Sequence, residues 1–250
     1  MQKADTKTIW LPAHDALNLK SHQVDVWRVF LDLPTASVKS IKSYLSADEA
    51  QRAVRFHFPA DRDRYIVAHG CLRDILARYI HREPHQISFS TGEYGKPALV
   101  NNEGIDFNLA HSGDLALIAV TCGHKVGVDV ERIRQDMELE SIARRYFSRR
   151  EVSELLALSP EQRELAFFNC WTRKEAYIKA QGLGLSLPLD SFDVSLTPDG
   201  PVIIYETRPD PQVATCWRLE ALEVRTQYVA AVAIEANSDL EFRLWDWISK

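Results

Sequence analysis

Three carboxylates and two lysines, grouped in two short segments, are the side chains of this sequence best suited to chemistry. The acids are Asp129, Glu131 and Glu175, and the lysines are Lys174 and Lys179. Carboxylate oxygens without nearby His or Cys favour Mg²⁺, Ca²⁺ or Mn²⁺ over zinc, and Mg²⁺ usually keeps positions for water and substrate phosphate oxygens. These residue types predict a site for a hard divalent cation and a phosphate-bearing substrate, with phosphoryl-type transfer as the leading chemistry.

The first segment has the alternation of a β-strand. Its valines, Val126, Val128 and Val130, point one way, and Gly127, Asp129 and Glu131 point the other. Asp129 and Glu131 are therefore expected to share one face. An acid–x–acid pair is also common on an ordinary solvated strand, so this pattern alone leaves a structural role open.

The second segment is predicted to be helical. Ser159–Gln162 has the form of a capping box with a proline at the first helical position, and Gly182 follows as a natural terminator. Within the helix, Trp171, Glu175 and Lys179 fall on one stripe. Glu175 and Lys179 could also form an ordinary helix ion pair worth ~0.2–0.5 kcal/mol. The predicted site additionally requires a fold that brings this helix to the acidic strand.

Composition indicates a globular protein with a cytoplasmic location. The chain has 250 residues, 46% of them hydrophobic, and a net charge of −5, which argues against general nucleic-acid binding. Four widely spaced cysteines predict free thiols rather than disulfides or a zinc site. The longest apolar run, Leu115–Val120, is too short to span a bilayer, so no membrane association is expected.

The order of predicted elements indicates an α+β fold with two similar lobes. The first lobe is predicted over 24–124, after an N-terminal extension over 1–23, and the second over 125–250. In both lobes a Ser-capped helix precedes a long helix, a Gly-containing loop and paired strands, although no repeat is convincing residue by residue. The acidic strand opens the second lobe, and the cleft between the lobes is the expected ligand site.

Five ordered motifs resemble those of the Sfp-type 4′-phosphopantetheinyl transferases. Gly127–Glu131 is similar to that family's (I/V)-G-(I/V)-D-x-E signature, Phe147–Glu151 to its F-S-x-x-E element, and Trp171–Lys179 to its W-x-x-K-E-(A/S)-x-x-K signature. Tyr94–Pro97 resembles its Y-G-K-P loop and Phe107–Ser112 its F-N-x-S-H-S segment. The resemblance implies the fold of that family, with two pseudo-symmetric α+β lobes and the active site between them.

The resemblance also implies a specific reaction. Members of this family move the phosphopantetheine arm of coenzyme A onto a serine hydroxyl of a carrier protein, with Mg²⁺ on the pyrophosphate, and release adenosine 3′,5′-bisphosphate. The implied partners of this chain are coenzyme A and apo acyl or peptidyl carrier proteins of fatty acid, polyketide or nonribosomal peptide synthesis. The protein is expected to act as a cytoplasmic monomer.

Roles for individual residues follow from the resemblance. Asp129, Glu131 and Glu175 would hold the metal, Glu175 or a water that it orients would accept the serine proton, and Lys179 would stabilise charge on the pyrophosphate. The remaining implied contacts to coenzyme A come from Arg52, Arg64, Lys96, Pro97, Ala110, His111 and Lys174.

Three positions depart from the family pattern or have two interpretations. Ala110 stands where the family often has serine, which implies the loss of one hydroxyl contact worth roughly 0.5–1.5 kcal/mol. Glu49 stands where a basic residue is common. Glu151 is either a helper near the metal or the acid of a capping box with Ser148.

Two other functions remain open from the sequence. The same acids could serve a different Mg²⁺-dependent phosphotransferase or hydrolase, which would turn over without a carrier protein. The chain could also be a non-catalytic module that binds coenzyme A or a carrier protein. The presence of Lys174, Glu175 and Lys179 together favours catalysis over binding alone.

Overall fold

A computed structural model of the protein describes residues 9–12, 17–100, 104–134, 137–237 and 239–248. Residues 1–8 and 13–16 of the predicted N-terminal extension lie outside the described residues.

The first half of the chain begins with a short edge strand and then runs strand, three helices, hairpin, two strands. Its elements are β1 (Leu11–Pro12), β2 (Gln23–Phe30), α1 (Thr35–Lys42), α2 (Ala47–Val54), α3 (Pro59–Ile80), β3 (Phe89–Thr91), β4 (Pro97–Leu99), β5 (Ile105–Ser112) and β6 (Leu115–Cys122). The predicted order of a Ser-capped helix, a long helix and paired strands is confirmed in this half.

The second half repeats that order and then adds one more strand. Its elements are β7 (Val126–Arg132), α4 (Leu139–Tyr146), α5 (Arg149–Ala157), α6 (Pro160–Gln181), β8 (Phe192–Val194), β9 (Ile204–Thr207), β10 (Trp217–Ala221), β11 (Tyr228–Glu235) and β12 (Glu241–Asp246). In the sheets, β2-β6-β5 has the same arrangement as β7-β11-β10. The predicted α+β fold with two similar halves is confirmed.

Each half contains an equivalent ion pair between two of its helices. Ser46 and Ser148 open α2 and α5 with complete capping boxes, as predicted, and the capping glutamates are Glu49 and Glu151. Glu49 pairs with Arg73 at 2.6 Å and Glu151 with Lys174 at 2.8 Å. Arg73 lies fourteen residues after Pro59, which opens α3. Lys174 lies at the same distance after Pro160, which opens α6.

One predicted cap differs. Ser159 is the N-cap residue of α6, but its side chain accepts no backbone hydrogen bond. Its hydroxyl instead lies 3.5 Å from the Gln162 side-chain oxygen. A proline at the first helical position needs no cap for its own nitrogen, because it carries no N–H.

Three apolar clusters form the core of the described structure. One lies between the larger sheet and α3, the second between the smaller sheet and α6, and the third between the two sheets. Val126, Val128 and Val130 are in the third cluster, so their opposite face, which carries Asp129 and Glu131, turns toward α6. The alternation predicted for β7 is confirmed.

Side chains of β5 bridge the edges of the two sheets. Asp106 accepts from the Val126 N–H at 3.0 Å, Asn108 from the Val128 N–H at 2.9 Å, and Ser112 from the Arg132 N–H at 3.1 Å. At the same spacing Ala110 offers no side-chain acceptor. These side chains satisfy edge N–H groups that would otherwise lack partners, and they fix β7 beside β5.

The predicted boundary of the second lobe requires a correction. The last strand, β12, pairs in parallel with β2 of the first sheet, and β1 pairs with the far edge of β12. Trp245 of β12 packs in the core beside α3, and the Trp247 indole donates to Asp74 at 2.8 Å. Residues 241–246 therefore belong to the first half, because the open edge of β2 takes up this strand.

Two expectations from composition concern cysteines and membranes. Cys71, Cys122, Cys170 and Cys216 are all free, as predicted. Among the described residues, no helix combines the length and apolarity that crossing a membrane requires.

We predict that Asn108→Ala lowers the free energy of unfolding by about 1–3 kcal/mol, because the buried Val128 N–H loses its acceptor. Urea unfolding followed by circular dichroism measures the change. Asn237→Ala, at an exposed position, is the control and should change stability by less than about 0.5 kcal/mol. Equal effects at both positions would show that the bridge between β5 and β7 contributes nothing.

Candidate active site

A glycine allows α6 to lie directly against the acidic strand. A Cβ added to Gly127 would lie 2.1 Å from the Ala176 carbonyl oxygen and 2.3 Å from the Ala180 nitrogen. These atoms belong to the helix backbone, so any side chain at this position would push the helix away. The close approach brings Lys179, beside Ala180 on α6, to Asp129, two residues after Gly127 on β7.

Asp129 and Lys179 form the central pair of the site. The Lys179 Nζ lies 2.6 Å from Asp129 Oδ1, and the Asp129 side chain is only 5% exposed. Asp129 Oδ2 is buried with no hydrogen-bond partner among the described residues. Burial raises the pKa of Asp129, and the charge of Lys179 opposes that rise. A buried carboxylate with one unused oxygen is suited to a further cation.

Glu131 and Glu175 share the electrostatic environment of Asp129. Burial and the charge of Asp129 raise the pKa of Glu131, whose Oε2 accepts a 2.8 Å hydrogen bond from the Ser112 hydroxyl. Burial raises the pKa of Glu175, and the charges of Asp129 and Glu131 raise it further. The charge of Asp129 therefore acts on both glutamates.

The prediction that Asp129, Glu131 and Glu175 hold one metal ion stays a prediction. In the described part of the chain, no three His, Cys, Asp or Glu side chains form a group that could hold a metal ion. The Lys179 ammonium pairs with Asp129 and compensates its charge. The donor chemistry still fits a hard cation, because all three are carboxylates and Asp129 Oδ2 has no partner.

A groove of about 540 Å³ adjoins the site on the side of the first half. Arg52, Pro97 and His111, all predicted contacts to the coenzyme, line this groove together with Tyr65 and His69. Burial lowers the pKa of His111, and the charges of His69 and Lys179 lower it further. Asn108 also lines the groove and accepts from the Val128 N–H, so the groove reaches the strand next to Asp129.

Lys96 supports the fold instead of lining the groove. Its Nζ donates to Asp106 at 2.9 Å, to the Val126 carbonyl at 3.0 Å and to the Ala180 carbonyl at 3.5 Å. An ammonium has three N–H groups, so these bonds use all of them. The prediction that Lys96 grips a phosphate is corrected: Lys96 ties the start of β7 to the end of α6.

Lys174 and Ala110 are also corrected as predicted contacts to the coenzyme. Lys174 is fully buried, pairs with Glu151 at 2.8 Å, and donates to the carbonyls of Leu189 and Phe192. Ala110 is buried in the cluster between the two sheets, so a ligand in the groove does not reach its methyl group. The hydroxyl that Ala110 lacks is therefore missing from the bridge between β5 and β7 and not from the ligand groove.

The other uncertain positions have structural partners. Glu151 is fully buried and accepts from the backbone of Ser148 and Val194, which favours its role in capping over a role near a metal. Glu49 pairs with Arg73, and the bonds from His69 and Arg73 hold the pKa of Glu49 at about 2 although burial opposes this. Glu49 therefore links α2 to α3 through its pair with Arg73.

Arg64 is not brought to the groove. It pairs with Asp32 at 2.7 Å on the surface, and the bond to Asp32 raises the pKa of the Arg64 guanidinium. Its predicted contact to the coenzyme finds no support in this position, because Arg52 and His111 line a different surface.

Comparison with known proteins identifies related sequences along almost the whole chain. A family model described as the 4′-phosphopantetheinyl transferase superfamily matches residues 125–233, and one described as the N-terminal part of a 4′-phosphopantetheinyl transferase matches 34–123. The 4′-phosphopantetheinyl transferase HetI of Nostoc sp. is 40% identical over 228 residues, which cover 90% of this chain and 93% of HetI.

The chain belongs to the 4′-phosphopantetheinyl transferase family. The transferase Sfp of Bacillus subtilis is 32% identical over 76% of this chain and 91% of its own length. The transferase psf-1 of Bacillus pumilus is 34% identical over 74% of this chain and 83% of its own length. The resemblance to the Sfp type is confirmed, and the protein is an enzyme of this family.

An apolar pocket that sequence reasoning missed lies beside Glu131 in this transferase. It has a volume of about 130 Å³. Its lining residues are Glu131, Arg134, Met137, Ile142, Phe167, Phe168 and Trp171. They come from β7, α6, α4 and the connection before α4, so no single motif could reveal them. Trp171 gave a partial signal, since its position one turn before Glu175 places it near the acids.

We predict that Glu175→Gln stabilises the free protein at neutral pH by about 0.5–2 kcal/mol. The folded pKa of Glu175 is raised, so the native state binds more protons than the unfolded state between the two pKa values, and stability falls as pH rises through the folded pKa. Glutamine removes this penalty. The gain should be present at pH 8 and vanish at acidic pH, where both states are protonated.

Urea unfolding at pH 4 and pH 8 measures this difference, and Glu164→Gln on the same helix is the control for the loss of one charge. A Glu175→Gln variant that is less stable than the wild type at pH 8 would contradict the burial of an ionised Glu175 beside Asp129 and Glu131.

Proposed function

We propose that this enzyme transfers the 4′-phosphopantetheine group of coenzyme A to a serine hydroxyl of an apo acyl or peptidyl carrier protein, with Mg²⁺ as cofactor. Adenosine 3′,5′-bisphosphate is the leaving product. The observation that carries this proposal is the Asp129–Lys179 pair, buried at the junction of β7 and α6 with Glu131 and Glu175 beside it.

The acids and the lysine have complementary roles in the proposed reaction. The serine oxygen forms a bond to the phosphorus that carries pantetheine, and the bond from that phosphorus to the oxygen of adenosine bisphosphate breaks. Glu175, whose pKa is raised by burial, accepts the serine proton directly or through a water that it orients. The Lys179 ammonium stabilises the negative charge that develops on the leaving phosphate.

Asp129, Glu131 and Glu175 would hold Mg²⁺, since carboxylate oxygens are the ligands that it prefers. When bound, the ion neutralises charge on the pyrophosphate and so lowers the cost of attack by a neutral hydroxyl. The unpartnered Asp129 Oδ2 supports this assignment.

The two pockets beside the site suit the two ends of coenzyme A. We assign the nucleotide end to the groove of Arg52, Pro97 and His111, where a guanidinium can pair with a phosphate. We assign the pantetheine arm to the apolar pocket of Phe168 and Trp171, because its chain is mostly uncharged. Transfer of phosphopantetheine to the serine hydroxyl then takes place between the pockets, beside Glu131.

An intact-mass assay with coenzyme A, Mg²⁺ and a panel of apo carrier proteins tests the function. We predict that the wild type adds one phosphopantetheine group and that Asp129→Asn lowers the rate at least about 100-fold, because the buried charge is lost. Failure of the wild type on every carrier would contradict the proposal. Turnover of coenzyme A without a carrier would favour a different phosphotransferase, and binding without turnover would favour a non-catalytic module.

We predict that Arg52→Ala raises KM for coenzyme A about 10–100-fold, because a charge-assisted hydrogen bond to the nucleotide end is lost. Dephospho-coenzyme A, which lacks the 3′-phosphate, should show a much smaller change if Arg52 contacts that phosphate. The control is Arg55→Ala, which removes the same charge three residues later, at a position that is not among the residues lining this groove. Equal KM values for wild type and Arg52→Ala would contradict the assignment of this groove.

A further inference from the structure

Lys179 occupies the carboxylate that the proposed metal ion also needs. Its ammonium lies 2.6 Å from Asp129 Oδ1, so only Oδ2 remains without a hydrogen-bond partner among the described residues. Two cations beside one carboxylate repel each other, and the repulsion is strong where the carboxylate is buried. Lys179 must therefore weaken the binding of a divalent cation as long as it stays on Asp129.

The backbone of α6 is packed directly against β7 beside this contact. At Gly127 a Cβ would lie 2.1 Å from the Ala176 carbonyl oxygen, so no side chain separates the two backbones. The lysine side chain is different: it is 29% exposed and has a flexible stem. Its ammonium can change partner while the helix stays in place.

The groups around Lys179 define where its ammonium can go. Lys179 contacts Asp129 directly, and its charge lowers the pKa values of Glu131, Glu175 and His111, the last of which lines the nucleotide groove. In the free enzyme Asp129 is the partner. A diphosphate that enters between the groove and the acids would offer a second partner of higher charge.

We propose that Lys179 is an internal counter-ion that makes metal binding dependent on coenzyme A. It holds Asp129 in the free enzyme and weakens divalent cation binding there. When the diphosphate arrives, its charge compensates the ammonium, and Asp129 becomes available to the metal. This inference rests on the proposed function, and it adds an order to the assembly of the site.

The coupling must be reciprocal. If coenzyme A strengthens metal binding by some factor, the metal strengthens coenzyme A binding by the same factor. A neutral side chain at position 179 should weaken this coupling. Without the ammonium, the metal ion meets no repulsion in the free enzyme, so coenzyme A has no repulsion to relieve. A merely structural lysine would give the opposite result, since its loss would loosen Asp129 and weaken metal binding in every state.

Mn²⁺ binding, measured by electron paramagnetic resonance of the free ion, tests the proposal without a carrier protein and without turnover. The proteins are wild type, Lys179→Met and the control Lys125→Met, which removes one charge from an exposed pair with Glu235. Without coenzyme A, Lys179→Met should bind Mn²⁺ at least about fivefold more tightly than wild type, and Lys125→Met should match wild type. Coenzyme A should increase the Mn²⁺ affinity of wild type more than that of Lys179→Met.

Two negative results have different meanings. Suppose that wild type binds Mn²⁺ when coenzyme A is present, but that without coenzyme A the Lys179→Met variant binds Mn²⁺ no more tightly than wild type does. The counter-ion proposal is then wrong and the proposed function stands. If wild type binds no Mn²⁺ even with coenzyme A, the metal site of the proposed function is itself wrong. Thermal unfolding of each variant verifies that the proteins compared are folded.

Discussion

The burial of the Asp129 carboxylate between β7 and α6 is the interaction on which the rest of the site depends. A buried carboxylate is costly unless a cation pairs with it. Gly127 provides the geometry for that pairing, since its lack of a side chain allows α6 to approach until Lys179 reaches Asp129 at 2.6 Å. Their own burial and the charge of Asp129 raise the pKa values of the neighbouring acids Glu131 and Glu175. A site with excess buried negative charge is suited to cations and to phosphates that arrive with them.

The two halves of the chain show why only one of them holds such a site. Ala231, the fourth residue of β11, pairs with Asp129, and Ile118, the fourth residue of β6, pairs with Trp27. Trp27 thus stands where the second half has Asp129. Asp74 and Arg78 occupy the helix positions of Glu175 and Lys179, but they form a buried pair that the Trp247 indole covers. The first half therefore has an acid and a base at these helix positions but an indole ring where the second half has the strand acid.

Local patterns in the sequence were sufficient to predict the strand that carries Asp129 and the helix that carries Lys179. They were insufficient for Lys96 and Lys174, because the motif does not show that both ammonium groups bond backbone carbonyls of segments distant in sequence. They were also insufficient for β12, whose place beside β2 depends on an open strand edge more than 200 positions earlier in the chain. Charge type is local information, whereas the partner of a charge is a property of the fold.

A crystal structure with coenzyme A and Mn²⁺, and without a carrier protein, tests the central claim most directly. Anomalous scattering locates the Mn²⁺ independently of any assumption about its ligands. The account predicts the ion at coordination distance from Asp129, with Glu131 and Glu175 as further ligands and the Lys179 ammonium on the diphosphate. An ion bound elsewhere, or a Lys179 that stays on Asp129 Oδ1 while the diphosphate is bound, would contradict the account.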